Sequence, residues 1–323
     1  MAFAKEGVQP AYGSALIYYA RAHAVTKLKD LLSLLTSCCL LHSAAYPFAT
    51  DLDTQLASLL SKDRLSLVGL AREDPDAASL LAKSRSGYAT VRRFYYLRDQ
   101  DLTPDATTTL RPLERKREAA KALVAVTESA ADCIRGGLYD PAVESVIAVD
   151  CVLALLAESL PLLGQPKRVF TKEQVFGLLR VVEDFATAPS RIRENAESLM
   201  QAAVSAYRDH DDGMVAAAGA GGAGNKLKKS RQNLKQSAFG GSSYDLLASS
   251  IMPGGAQQQK TKGDGGKGAQ KSSPGPIQRS WDWRRGLDGL GGGVDAGGKE
   301  VLGLLRMALA QEVARGWSGQ VSW

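Results

Sequence analysis

A glycine pattern, an acidic cluster and three cationic or aromatic runs are the places where residue types and spacing could do chemistry in this 323-residue chain. Gly219-Ala220-Gly221-Gly222-Ala223-Gly224 has the spacing that lets a backbone approach a dinucleotide pyrophosphate at a helix N-terminus. That site also needs strands on both sides of the helix, and the residues that follow offer no second strand. The pattern reads as an Ala/Gly linker. Gly266-Lys267 falls in another glycine cluster, but Gly268 stands where a phosphate-binding loop needs Ser or Thr.

Asp209, His210, Asp211 and Asp212 are ligand types for a divalent ion. Four consecutive helical positions cannot turn to one point, so they read as a solvated helix end. With three histidines and no local nucleophile–histidine–acid signature, no catalytic residue, metal or cofactor is assigned. The chain is expected to be non-enzymatic.

The remaining runs suit binding. Arg92-Arg93-Phe94-Tyr95-Tyr96-Leu97-Arg98 mixes cations with rings that could stack on RNA bases. On a helix, Val91, Phe94 and Tyr95 turn inward while Arg92 and Arg93 face water, and that reading is preferred. Lys226, Lys228, Lys229, Arg231 and Lys235 form the densest basic run and are candidate anion-binding residues, with Ser230 inside them as a phosphorylation switch. Tyr244-Asp245-Leu246-Leu247 fits a short sorting pattern of a kind that often arises by chance. Trp281, Trp283, Arg284 and Arg285 are residue types that anchor interfaces. With the stripe Leu302, Leu305, Leu309 and Val313 of a final amphipathic helix they make one candidate docking element for a protein partner. The alternative is that both pack on the chain's own helices.

These residues sit in a chain that changes character near residue 212. Residues 213–298 hold 21 of the 32 glycines. Residues 226–285 carry 12 Lys and Arg against three Asp, so the net +6 of the chain belongs to this stretch. Residues 212–298 cannot bury enough apolar surface to offset their ordering entropy and are expected to form a disordered basic Gly-rich linker. As a Gly-rich coil it would span on the order of 50 Å.

Residues 11–211 read as an all-α domain, an up-down bundle or irregular array of about seven helices. The expected spans are 14–46 (bent or split), 51–71, 75–98, 113–135, 141–163, 172–186 and 189–210. Asp74-Pro75 and Asp140-Pro141 place a capping oxygen before a proline, and Thr171 with Gln174 makes a capping box. Thr103-Pro104 gives the same signal, weakened by Pro112. Val175, Leu178, Leu179 and Val182 recur with helical period, while Val146–Leu160 is apolar nearly all round and belongs at the centre. Residues 31–50 lack charge over a length that could cross a bilayer, but their Ser, Thr, His and Pro favour a buried helix. The acid-poor start, with Lys5, Arg21, Lys27 and Lys29 against Glu6, resembles an organellar leader in composition but runs straight into helical pattern.

Cys38, Cys39, Cys133 and Cys151 fit no redox or zinc spacing and read as small core hydrophobes in a reducing, intracellular compartment. Residues 299–318 form the last amphipathic helix, which needs something to dock on. The expectation is a helical adaptor or peripheral subunit that binds protein partners. The alternative is a peripheral membrane protein on anionic lipid; nucleic acid is a weaker third.

Overall fold

The computed structural model describes residues 11–61, 65–100, 111–218, 281–284 and 297–318. They form an all-α array: α1 (Tyr12–Arg21), α2 (Val25–His42), α3 (Thr54–Leu60), α4 (Leu65–Glu73), α5 (Pro75–Asp99), α6 (Pro112–Ala131), α7 (Val152–Ser159), α8 (Lys172–Thr187), α9 (Ser190–Ala218) and α10 (Gly298–Ser318). There is no strand among the described residues.

The helix starts follow the capping chemistry. Asp74 accepts the Ala77 amide at 2.9 Å with Pro75 at the first helical position of α5. Thr171 and Gln174 close a reciprocal capping box on α8. Asp53, which the sequence did not single out, accepts the Leu56 amide at 2.9 Å and the Gly13 amide at 3.0 Å. One carboxylate thus caps α3 and ties it to α1.

Three expected helices are broken. The first splits at Ala22–Ala24, where His23 takes a left-handed φ of 49°. The second splits after Ser61, whose backbone is extended. The fifth does not begin at Pro141. The Asp140 carboxylate accepts the Ala142 amide at 2.9 Å, which makes a two-residue Asx turn rather than a helix cap. The chain then crosses α5 at Gly87, where a β-carbon would collide with the Val146 carbonyl and the Ile147 side chain. Helix resumes with a single turn at Val149–Cys151 and continues as α7. Conversely, α9 runs to Ala218, past the expected boundary at Asp212.

Every residue of α7 is buried, in keeping with a sequence apolar nearly all round. Around it stand α6, α8, α9 and α10; α5 joins this group to α1, α2 and α4 by packing on all three and on α6. One core runs through both groups and includes Trp281, Trp283, Val301, Leu302, Leu305 and Leu309. Residues 31–42 are core helix, and no described helix is long and apolar enough to cross a membrane. Gly136, Gly137 and Gly164 have φ between 64° and 76° in the turns that follow these runs, but α6 itself ends at Ala131, short of the expected residue 135, and Arg135 and Leu163 are already extended.

Candidate functional site

The candidate docking element is seated on the chain's own helices. Trp281, Asp282, Trp283 and Arg284 are all buried. Arg284 explains how a charged residue survives there. Its Nε and Nη2 donate to the two Asp282 oxygens at 2.8 and 2.6 Å, and Nη1 reaches the carbonyls of Leu41 and Ala203 at 3.4 and 3.3 Å. Its guanidinium carbon lies 4.7 Å from the centre of the Tyr207 ring, and Lys116 Nζ lies 5.3 Å from that of Trp281. Four residues thereby bridge α2, α6 and α9. Burial pushes the Asp282 carboxyl upward, but hydrogen bonds from Arg284 and the charges of Arg284 and Arg98 outweigh it, so the group is held below its ordinary value.

The second part, α10, lays its stripe inward against α7 and α8. Val301, Leu305 and Leu309 are fully buried, Leu302 nearly so, and Val313 packs at the edge. The helix is pinned at three levels. Glu197 of α9 accepts the Gly298 amide at its start. Midway, Arg306 forks onto Glu183 of α8 at 2.8 and 3.1 Å. Near its end, Glu312 accepts the Gly164 amide at 2.9 Å, and Arg168 donates to the Glu312 carbonyl at 2.8 Å.

The sequence expectation pointed Trp281, Trp283, Arg284, Leu302, Leu305, Leu309 and Val313 toward a partner. The structure turns both parts inward on separate faces, the Trp motif on α2, α6 and α9 and the α10 stripe on α7 and α8, within one continuous core. The body already presents apolar surface to them, and an intramolecular contact avoids the entropy lost when two molecules associate. Arg285 and the basic run at Lys226, Lys228, Lys229, Arg231 and Lys235 lie outside the described residues, as do the glycine pattern at 219–224 and Tyr244–Leu247. The backbone of Asp209–Asp212 continues α9. No group of three or more His, Cys, Asp or Glu able to hold a metal occurs among the described residues.

Sequence reasoning missed the charged centre beside this element. Arg98 Nη1 lies 2.7 Å from Ser43 Oγ and 3.2 Å from Glu158 Oε2, and its Nε bonds Asp99 at 3.0 Å. Glu158 Oε1 also accepts from Ser43 and Tyr95 at 2.8 and 2.9 Å. The Tyr95 hydroxyl is driven well above its usual range by burial and by the neighbouring Glu158 charge. Two signals were present. Glu158 is the lone charge in an apolar run, and Arg98 extends the inward spacing of Val91 and Phe94. A buried charge needs a partner, and these two are each other's. In the remainder of the Arg92–Arg98 run, Val91, Phe94 and Tyr95 face inward and Arg93 is exposed as expected; half-buried Arg92 donates to the Pro47 carbonyl at 3.1 Å.

No protein-family model matches the chain. Comparison with curated proteins finds 35% identity over 322 residues with nucleoporin NUP85 of Chaetomium thermophilum, covering 95% of this chain and 25% of that protein. The chain is similar to a nucleoporin. It spans about a quarter of the length of the curated relative it matches. The similarity runs along nearly the whole chain and so is not confined to one helix or motif.

Proposed function

We propose that the chain is a non-enzymatic helical scaffold segment of a nucleoporin-type subunit, held in a larger assembly by contacts to other proteins. The observation that carries this reading is the 35% identity to a nucleoporin along 95% of the chain. The fold suits it: a continuous core joins all ten helices named above, and buried polar groups are tied across elements rather than gathered around a cavity.

In this role the Trp motif and α10 act from within. They clasp α2, α6, α7, α8 and α9 into one body, and the outer faces of that closed body meet the partners. The basic run Lys226–Lys235 is a further, electrostatic contact to an acidic protein surface. The test is to express the tagged full chain in cells and follow it by microscopy and by cross-linking with mass spectrometry. Accumulation at the nuclear envelope with cross-links to pore proteins is expected. A diffuse distribution with no pore-protein cross-links would overturn the reading.

A further inference from the structure

The last turn of α10 does more than close the body. Arg315 is exposed, yet its Nη2 donates to the Gln165 carbonyl at 2.9 Å and its Nη1 to Glu312 at 2.7 Å. The connection between α7 and α8 is thereby held from one side. From the other side, Arg117 of α6 donates through Nε and Nη2 to the Arg168 carbonyl at 3.3 Å, and Lys116 bonds the Gln165 side chain at 3.0 Å. Arg117 stands against Arg168 and Glu128 against Gly177, so α6 and α8 run in the same direction. Lys121, one turn beyond Arg117, falls level with the first turn of α8, which holds Lys172. Arg117, Lys121, Lys167, Arg168, Lys172 and Arg315 therefore gather around one short connection, all but Arg168 exposed.

This charge is weakly neutralised. Arg117 bonds a neutral carbonyl. Glu312 is buried and shared by Arg168 and Arg315. Glu118 pairs with Arg93, and Glu114 caps its own helix at the Arg111 amide. Among the described residues, Glu173 in the first turn of α8 adds a further exposed acid to this connection. Among the cations the Phe176 ring is half-exposed, beside a notch, too small for a side chain, that Phe170, Val175, Glu312 and Val313 line.

We propose that this face docks an acidic segment of a protein partner that carries one apolar anchor side chain, and that the face is complete only when the clasp is seated. The proposal deepens the scaffold reading and rests on it. Guanidinium forks already held by carbonyls lose little freedom on meeting carboxylates. A nucleic acid would need a longer cationic track with several rings, and a bilayer a broad apolar face. A single ring in a compact cationic cluster fits a short peptide. Val313 and Arg315 belong to the clasp, which makes the surface composite.

The full chain is titrated with fluorescent 12-residue peptides of Asp and Glu around a central Leu or Phe. The comparisons are the same acidic peptides without the apolar residue, a single-stranded oligonucleotide of equal charge, and vesicles containing phosphatidylserine. The acidic–apolar peptides are expected to bind, and more weakly as salt rises. Arg117→Glu with Lys172→Glu should lower their affinity about tenfold or more, and Arg315→Glu on the clasp should lower it too. Lys27→Glu with Arg72→Glu, on α2 and α4, should change it less than about twofold. Circular dichroism checks that the variants keep their helix content. The proposal is overturned if no acidic–apolar peptide binds the wild-type chain, if the charge reversals leave its affinity unchanged, or if the oligonucleotide or vesicles bind more tightly than the peptides. A charge-reversed chain that still reaches the nuclear envelope, with peptide binding absent from wild type, would reject this surface and leave the scaffold reading standing.

Discussion

Glu158 Oε2 on α7 lies 3.2 Å from Arg98 Nη1 on α5, with each side chain 1% exposed. A pair this deep gives little net stability over an apolar pair of the same shape, because both ions lose their hydration. Breaking it is another matter. Glu158→Leu leaves the buried Arg98 with only the partly exposed Asp99 as counter-ion and deprives Ser43 and Tyr95 of an acceptor. We expect a loss of about 3–5 kcal/mol in denaturant unfolding. Arg98→Met combined with Glu158→Leu should cost clearly less than Glu158→Leu alone. An additive double variant would show that the two side chains do not act as a pair.

The clasp should be sensitive to acid. The Asp282 carboxyl is held below its ordinary value of about 3.9, so as pH falls the unfolded chain takes up this proton first. The stability contributed by Asp282 is intact above about pH 4 and is lost as pH falls through the folded-state value. Tryptophan emission followed through an acid titration should report the release of Trp281 and Trp283. Asp282→Asn should flatten the part of that titration which belongs to the clasp.

Trp281 and Trp283 are each 4% exposed. Trp→Ala at a buried site costs about 3–5 kcal/mol. Either substitution should therefore lower the unfolding midpoint and make α10 the first helix cut in limited proteolysis. An unchanged midpoint with α10 still protected would mean that the Trp residues are not what seats the clasp.

Two helical glycines should respond in opposite directions to alanine. At Gly87 a β-carbon meets the Val146 carbonyl, so Gly87→Ala should destabilise by about 1–3 kcal/mol. At Gly69 on α4 a β-carbon meets nothing within 4 Å, so Gly69→Ala should stabilise by about 0.5–1 kcal/mol through helix propensity. Thermal melts of the two variants check the sign of each.

The cysteines should be inert. Burial pushes the thiols of Cys38, Cys39 and Cys151 up to about 12, and also raises that of Cys133. A thiol-specific reagent at pH 8 should label the native chain slowly and all four residues after denaturation. Rapid native labelling of any one would show that its helix opens easily.

The sequence by itself determined what is local. Helical spacing and the caps at Asp74 and Thr171 act within a few residues, so the all-α class, the extents of α5 and α8 and the start of α6 could be read from the chain. Its apolar run marked α7 as central. Tertiary structure decided what depends on residues far apart in sequence. Asp140-Pro141 has the letters of a helix start, but the following segment turns and crosses α5 at Gly87 without forming a helix. Trp281–Arg284 has the letters of an interface, and only the fold shows that Leu41, Lys116, Ala203 and Tyr207 converge to cover it. Arg98 and Glu158 are 60 residues apart, and neither spacing nor composition says that each is the other's counter-ion. An exposed face and a covered face share one apolar stripe in sequence. Which it becomes is set by whether another part of the same chain can reach it without the entropy cost of a second molecule.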